Sequence, residues 1–300
     1  MENKIWSENI QGILNLDLSR EMRFRDDRKD LFLNLLGLKP GMTVVDIGCG
    51  TGAITRKLSK WLGGKSQIIG IDRDTVFINY ANKKAKEQCL HSISYYEGDA
   101  LNLPFEDSSV DACVSHTVIE HVPNREFLLE QKRVCRAGGT VSVMYARPDK
   151  YIKTEPDLLP KQSKREIELL DKLFQENDDT NKKYEVAKYW PDPIGLPSLF
   201  EELGFKNIQI DGISIPMVID DARNSLDEKI AMLEAEKAQL FEGIDMGVNL
   251  NKEGLNDMEL AELKQLIAER FNQRLSFIEE GRHIWDYSIL SLQIVSGMVE

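Results

Sequence analysis

"VVDIGCGTGAITRKL", Val44 to Leu58, joins a short β-branched apolar run to glycines at alternate positions, Gly48, Gly50 and Gly52, and then to a helical pattern. A strand, a tight turn and a helix in that order make a small-molecule cradle. Gly48, Gly50 and Ala53 fit the dinucleotide fingerprint G-x-G-x-x-A, and Asp72 lies near the place where that fingerprint puts a ribose-binding carboxylate. The neighbouring residues decide which ligand is meant.

Upstream, "DDRKDLFLNLLGLKPGM" predicts a helix stopped by Gly37 and Pro40-Gly41, and "MTVVDI" predicts a strand covered on both faces. Downstream, a helix over Ala53 to Leu62 ends at Gly63-Gly64. "SQIIGID", "SISYYEGDA", "SSVDACVSH" and "GGTVSVMYA" then read as further strands, with helices at "TVFINYANKKAKEQCL" and at Asn124 to Arg136. Strands alternating with helices need crossovers, which give an α/β fold with a doubly wound, mostly parallel sheet. "PSLFEELGFKNIQIDGISIPMVI" and "HIWDYSILSLQIVSGMV" add a helix and two late strands, so a seven-stranded sheet is expected.

Two insertions interrupt this series. The expected organisation is residues 1–147 for N-terminal helices and the cofactor-binding core, 148–198 for a first cap insertion with a helix from about Lys164 to Gln175, and 199–219 for a core helix and strand. Residues 220–283 then form a second, helical cap insertion, and 284–300 the final core strand. Leu226, Ile230, Leu233 and Leu240 line one helix of the second insertion. Leu260, Leu263, Ile267, Phe271, Leu275 and Ile278 line another. Residues 220–282 hold 15 acids and 8 bases, which read as solvated helix faces. Both insertions are expected to cap the ligand edge of the sheet.

The net charge of −12 speaks against a protein that grips nucleic-acid phosphates. The N-terminus shows no leader pattern and no apolar window approaches a membrane span, so a cytoplasmic protein with no membrane or nucleic-acid partner is expected. Cys49, Cys89, Cys113 and Cys135 contain no C-x-x-C pair, and no metal is expected.

Asp46 falls two residues before Gly48, where a carboxylate would oppose the pyrophosphate of a dinucleotide and suit a cation. It can also serve by accepting backbone N–H groups of the turn. S-adenosylmethionine carries a sulfonium and an ammonium and no phosphate. With these residues in view, "DIGCGTG" resembles the E/D-x-G-x-G-x-G signature of class I S-adenosylmethionine-dependent methyltransferases. "GLKPGMTVVDIGCGTGAITRKL", "IIGIDRD", "YEGDALNLPFEDSSVDACVSHTVIEHV" and "KRVCRAGGTVSV" resemble successive segments of that family, in its type 11, ubiquinone and menaquinone methyltransferase-like group. The resemblance covers about residues 28 to 146 and implies a Rossmann-like methyltransferase fold with S-adenosylmethionine as cofactor.

It also implies roles. Gly48, Gly50 and Gly52 bring main chain to the cofactor, Asp72 with Arg73 beside it meets the ribose, Asp99 and Ala100 face the adenine, and His116 borders the methionine part. The competing reading of Asp72 is a cap for the following helix, and that of Asp99 is turn chemistry after Gly98. A basic residue among Arg20, Arg23, Arg25 and Arg28 is the family's usual partner for the cofactor carboxylate, but four candidates prevent assignment.

Methyl transfer from a sulfonium is chiefly alignment, and alignment lowers a barrier by about 7–11 kcal/mol. His116 is the candidate base, whereas His121 in "IEHVPN" ranks as structural first. His283 and Tyr145, Tyr151, Tyr189 and Tyr287 rank below His116. "SHTV" stands where amino-methylating enzymes of DNA bases or glutamine carry N/D-P-P-Y/F, and Ser115 and His116 stand where metal-dependent catechol-type enzymes carry an acid. The expected function is methyl transfer to O, N or C of a small organic metabolite. The alternatives are a non-catalytic binder of the cofactor and an NAD-dependent oxidoreductase.

Overall fold

The computed structural model describes residues 6–174, 186–192 and 194–300. The polar stretch 175–185, with the expected end of the first insertion's helix at Gln175, and Pro193 lie outside the described residues. The strands are β1 (Thr43–Ile47), β2 (Gln67–Asp72), β3 (Ile93–Glu97), β4 (Val110–His116), β5 (Cys135–Ala146), β6 (Ile152–Lys153), β7 (Lys206–Val218) and β8 (Tyr287–Met298). The helices are α1 (Trp6–Asn9), α2 (Ile13–Arg23), α3 (Lys29–Leu35), α4 (Ala53–Trp61), α5 (Thr75–Glu87), α6 (Asn124–Val134), α7 (Lys164–Phe174), α8 (Gly195–Glu202), α9 (Leu226–Leu250) and α10 (Asp257–Glu279).

The sheet order is β3-β2-β1-β4-β5-β8-β6, with β7 also on β8. Pairs among β1 to β5 are parallel, and β8 enters antiparallel to β5. The seven expected strands are present, joined by β6, a two-residue strand that spacing alone does not announce. Strand order reverses between β1 and β4, and in open α/β sheets ligands lie outside the carboxyl ends of the strands at that switch point.

The chain divides into two compact units. One comprises Arg23–Lys150, Glu185–Ile215 and Ser291–Glu300 as far as these are described, and holds the sheet. Alternate strand residues explain its packing. Val45, Ile47, Ile71, Cys113, Val141, Val143 and Tyr145 pack with α6 and α8 through Phe127, Leu128, Leu196 and Phe200. On the other face, Tyr95 packs with Cys49, Ile78, Ala81 and Ala85.

The other unit comprises Met1–Met22, Tyr151–Tyr184 and Pro216–Leu290, again as described. It is helical and has a core of its own, centred on Leu169, Leu173, Leu233, Ile244, Leu263, Ile267, Phe271 and Ile278. Both long helices begin with a reciprocal capping box, Ser225 with Glu228 and Asn256 with Glu259. Leu226, expected on the apolar face of α9, sits at its first position and is 52% exposed, because the core stripe begins a turn later. Among the described residues no helix is long and apolar enough to cross a membrane.

Candidate active site

The glycine turn joins β1 to α4, and Gly48, Gly50 and Gly52 all have positive φ, at +68°, +53° and +75°. Few side chains tolerate that region. A Cβ on Gly48 would strike Val118 from the connection after β4, and one on Gly52 would strike the Tyr95 hydroxyl. The turn is therefore backbone pressed between β3 and the end of β4, at the switch point of the sheet.

Two carboxylates flank it. Asp46 is buried and accepts the Thr55 hydroxyl at 2.6 Å, which ties the end of β1 to the first turn of α4. Its partner is the Thr55 side chain in α4, not one of the turn N–H groups that the sequence reading offered. Burial pushes its carboxyl up to about 7, with the Asp72 charge adding to the rise.

Asp72 ends β2 and keeps part of its surface open to solvent. One oxygen accepts Gly50 N–H at 2.8 Å and the other Asp74 N–H at 2.9 Å. Burial raises its pKa against the pull of those two bonds. Capping of α5 belongs instead to Asp74, whose carboxylate accepts the N–H groups of Val76 and Phe77. Each Asp72 oxygen thus retains a lone pair for another donor. Arg73 beside it is exposed.

Three side chains that sequence reading did not single out support the turn from below. Thr55 anchors Asp46; Arg56, 1% exposed, donates to the Thr51 carbonyl at 2.7 Å; and the Tyr95 hydroxyl donates to the Gly52 carbonyl at 3.1 Å. The alternation of "SISYY" marks Tyr95 as inward-facing, which was the only available signal.

Asp99 is exposed and accepts Leu101 N–H at 2.9 Å, the turn chemistry expected after Gly98, and Ala100 follows it half-buried. His116, at the end of β4, is buried, edge-on to Phe24 with ring centroids 5.2 Å apart. Of the four lead-in arginines, Arg25 pairs with Asp27 and Arg28 donates to the Ser214 carbonyl. In the helical unit, Arg20 donates to Ser19.

His121 does structural work. Its Nδ1 accepts Ala187 N–H at 3.0 Å, while Tyr189 N–H bonds the Glu120 carbonyl and the Asn124 amide bonds the carbonyls of Ile119, Val122 and Tyr189. Residues 186–189 are thereby strapped to the connection between β4 and α6. Accepting at Nδ1 fixes the neutral ring with its proton on Nε2. Burial, then the Arg73 charge, lowers the His121 pKa to about 4.

The native ring refuses a proton that the unfolded chain takes up near pH 6.5, so this stability is full above that pH and is lost as pH falls towards 4. Denaturant titrations at pH 7.5 and 5 are expected to show a loss smaller in His121→Asn than in the wild type. The difference should be about 1–2 kcal/mol after allowing for solvent screening of a partly exposed ring. Equal losses would remove His121 as its source.

The chain is similar to several known methyltransferases. Residues 45–143 match the family described as a methyltransferase domain. A demethylmenaquinone methyltransferase of Staphylococcus saprophyticus is 28% identical over 178 residues, covering 58% of this chain and 75% of that one. A ubiquinone/menaquinone biosynthesis C-methyltransferase of Legionella pneumophila is 27% identical over 189 residues, covering 61% and 74%. Among solved structures, a Haemonchus contortus phosphoethanolamine N-methyltransferase 2 in complex with S-adenosyl-L-methionine aligns with a TM-score of 0.55 at 15% identity. That alignment covers 99% of this chain and 60% of that one, and it shows a shared fold.

Proposed function

Since this chain carries a class I S-adenosylmethionine-dependent methyltransferase domain of the type 11 group, we propose that it transfers a methyl group to a small organic acceptor. The observation that carries this reading is the pair Asp46 and Asp72 around a positive-φ glycine turn at the switch point between β1 and β4. In their ionised form these two carboxylates would attract a cationic ligand and repel a pyrophosphate, which disfavours a dinucleotide.

The residues fit the cofactor. Gly48, Gly50 and Gly52 would let its nucleoside lie against main chain, Asp72 would accept its ribose hydroxyls, and Asp99 with Ala100 would border its adenine. Asp46 would contribute negative charge through the turn. When bound, S-adenosylmethionine supplies a methyl group activated by sulfonium. What remains for the protein is to orient the acceptor and exclude water.

His116 is the proposed base where the acceptor must lose a proton, and it is positioned by Phe24. Relatives named for demethylmenaquinone methylation and for C-methylation in ubiquinone/menaquinone biosynthesis make carbon methylation of a quinone-type ring the first acceptor class to assay. A cytoplasmic location and the absence of a nucleic-acid partner belong to the same proposal.

Calorimetry with S-adenosylhomocysteine and with NADH tests the reading. The former is expected to bind in the micromolar range or tighter and the latter not at all. Labelled donor incubated with hydroxylated aromatic acceptors then tests transfer, and His116→Gln tests the base through kcat. Cofactor binding with no transfer to any metabolite extract would favour the non-catalytic alternative.

A further inference from the structure

Arg133, in the last turn of α6, directs all five of its N–H donors at acceptors. Nε and one Nη2 N–H meet the two carboxylate oxygens of Glu130, three residues earlier, at 2.8 and 2.7 Å. The other Nη2 N–H meets the Leu103 carbonyl at 3.1 Å. Nη1 meets the Phe105 carbonyl at 2.9 Å and the Asp107 carboxylate at 2.8 Å. Glu130 adds a bond of its own, since its Oε1 also accepts Leu103 N–H at 2.6 Å. Both main-chain groups of Leu103 are thus held by one pair of side chains.

Leu103, Phe105 and Asp107 belong to the connection from β3 to β4, residues 98–109, which also carries Asp99 and Ala100. It begins against the ribose acid, where Gly98 N–H bonds the Asp72 carbonyl at 3.0 Å. It ends against α6, where Ser108 and Ser109 N–H bond the carbonyls of Arg133 and Val134. Between these ends the main-chain bonds are local, Asn102 N–H to the Asp99 carbonyl and Phe105 N–H to the Leu103 carbonyl. Among the described residues, the hydrogen bonds that residues 99–107 make to a helix or strand run to Glu130 and Arg133.

The turn that presents Asp99 closes at Asn102, so the clamp grips the very next residue. Burial of the Leu103 side chain in the sheet core sets the depth of the connection, and the clamp sets the direction of its peptide groups. Arg133 is a third exposed, a condition in which an ion pair by itself adds little to stability. What its planar fork supplies is orientation of two carbonyls at once, which a lysine, with three donors on one point, does not reproduce.

We propose that Arg133 and Glu130 are positioning residues that hold the 98–109 connection so that Asp99 and Ala100 meet the adenine of the cofactor. This rests on the cofactor reading above and assigns what orients its adenine end.

The probes are S-adenosylhomocysteine and S-inosylhomocysteine, which has a carbonyl oxygen in place of the adenine amino group, each titrated calorimetrically into the full chain. The wild type is expected to prefer the former by about 10-fold or more, the size of one hydrogen bond, because a carboxylate accepts from an amino group and repels a carbonyl. In Arg133→Lys that preference should shrink to under about 3-fold, with the remaining affinity shared by both ligands. Glu130→Ala removes the acceptor of Leu103 N–H and should shrink it too, which keeps the test open if Arg133→Lys unfolds. Hydrogen exchange in the variants should speed up over residues 99–107 while β1, β2 and β4 stay protected, a pattern that general destabilisation does not produce.

If the wild type fails to bind S-adenosylhomocysteine, the cofactor reading itself falls and the proposal with it. Equal binding of both ligands by the wild type would take Asp99 away from the adenine and overturn the proposal as well. Where the wild type shows the preference, its full retention in a folded variant, or exchange that rises evenly through the sheet, would overturn the clamp alone.

Discussion

Gly50→Val is expected to weaken S-adenosylhomocysteine binding by more than about 100-fold, equivalent to roughly 3 kcal/mol. Gly50 has φ +53°, a conformation that a β-branched residue adopts only under strain, and such strain costs about 1–3 kcal/mol. Its N–H is also the one that Asp72 holds at 2.8 Å, so a shift in the turn misplaces the proposed ribose acid at the same time. Circular dichroism and thermal unfolding separate loss of site from loss of fold. A folded Gly50→Val protein with intact binding would show that this turn is not where the nucleoside lies.

Asp72→Ala is expected to weaken the same ligand about 10- to 100-fold, the cost of about 1–3 kcal/mol for losing hydrogen bonds to a charged group. Part of that loss comes indirectly, since the N–H groups of Gly50 and Asp74 lose their acceptor too. An analogue of the ligand lacking both ribose hydroxyls separates the contributions. In the wild type it should bind more weakly than the parent, and in Asp72→Ala the two should bind alike, because the interaction under test is gone from both. If removing the hydroxyls costs the same in both proteins, Asp72 only holds the turn.

Much of this was legible in the sequence. Short β-branched runs between glycine-stopped helices gave a parallel core, because only crossovers can join such strands. The antiparallel entry of β8 and the two-residue β6 were not legible, since the spacing of late strands does not encode their direction.

At the site, the sequence left Asp72 between ribose acid and helix cap, and the structure gives the cap to Asp74, which stands two residues later with a carboxylate of the same kind. His121 was expected to be structural, and its Ala187 partner accounts for why. Arg56 and Tyr95 stayed hidden for a different reason. Their partners, Thr51 and Gly52, are backbone carbonyls, and nothing in residue type or spacing links Tyr95 to a carbonyl 43 positions earlier.

The helical unit is assembled from three separate stretches of chain, the last of which ends at Leu290. During synthesis, β1 to β5 and their crossover helices leave the ribosome long before α9 and α10, so the parallel core can gather while half the chain is still to come. The helical unit must then close one long loop, residues 23–150, and one short one, residues 185–215, to unite its pieces, an entropy cost that grows only slowly with length. A nascent chain stalled far enough beyond Ala146 for β5 to clear the ribosome should accordingly show protease protection in β1 to β5, with α2 still open to cleavage.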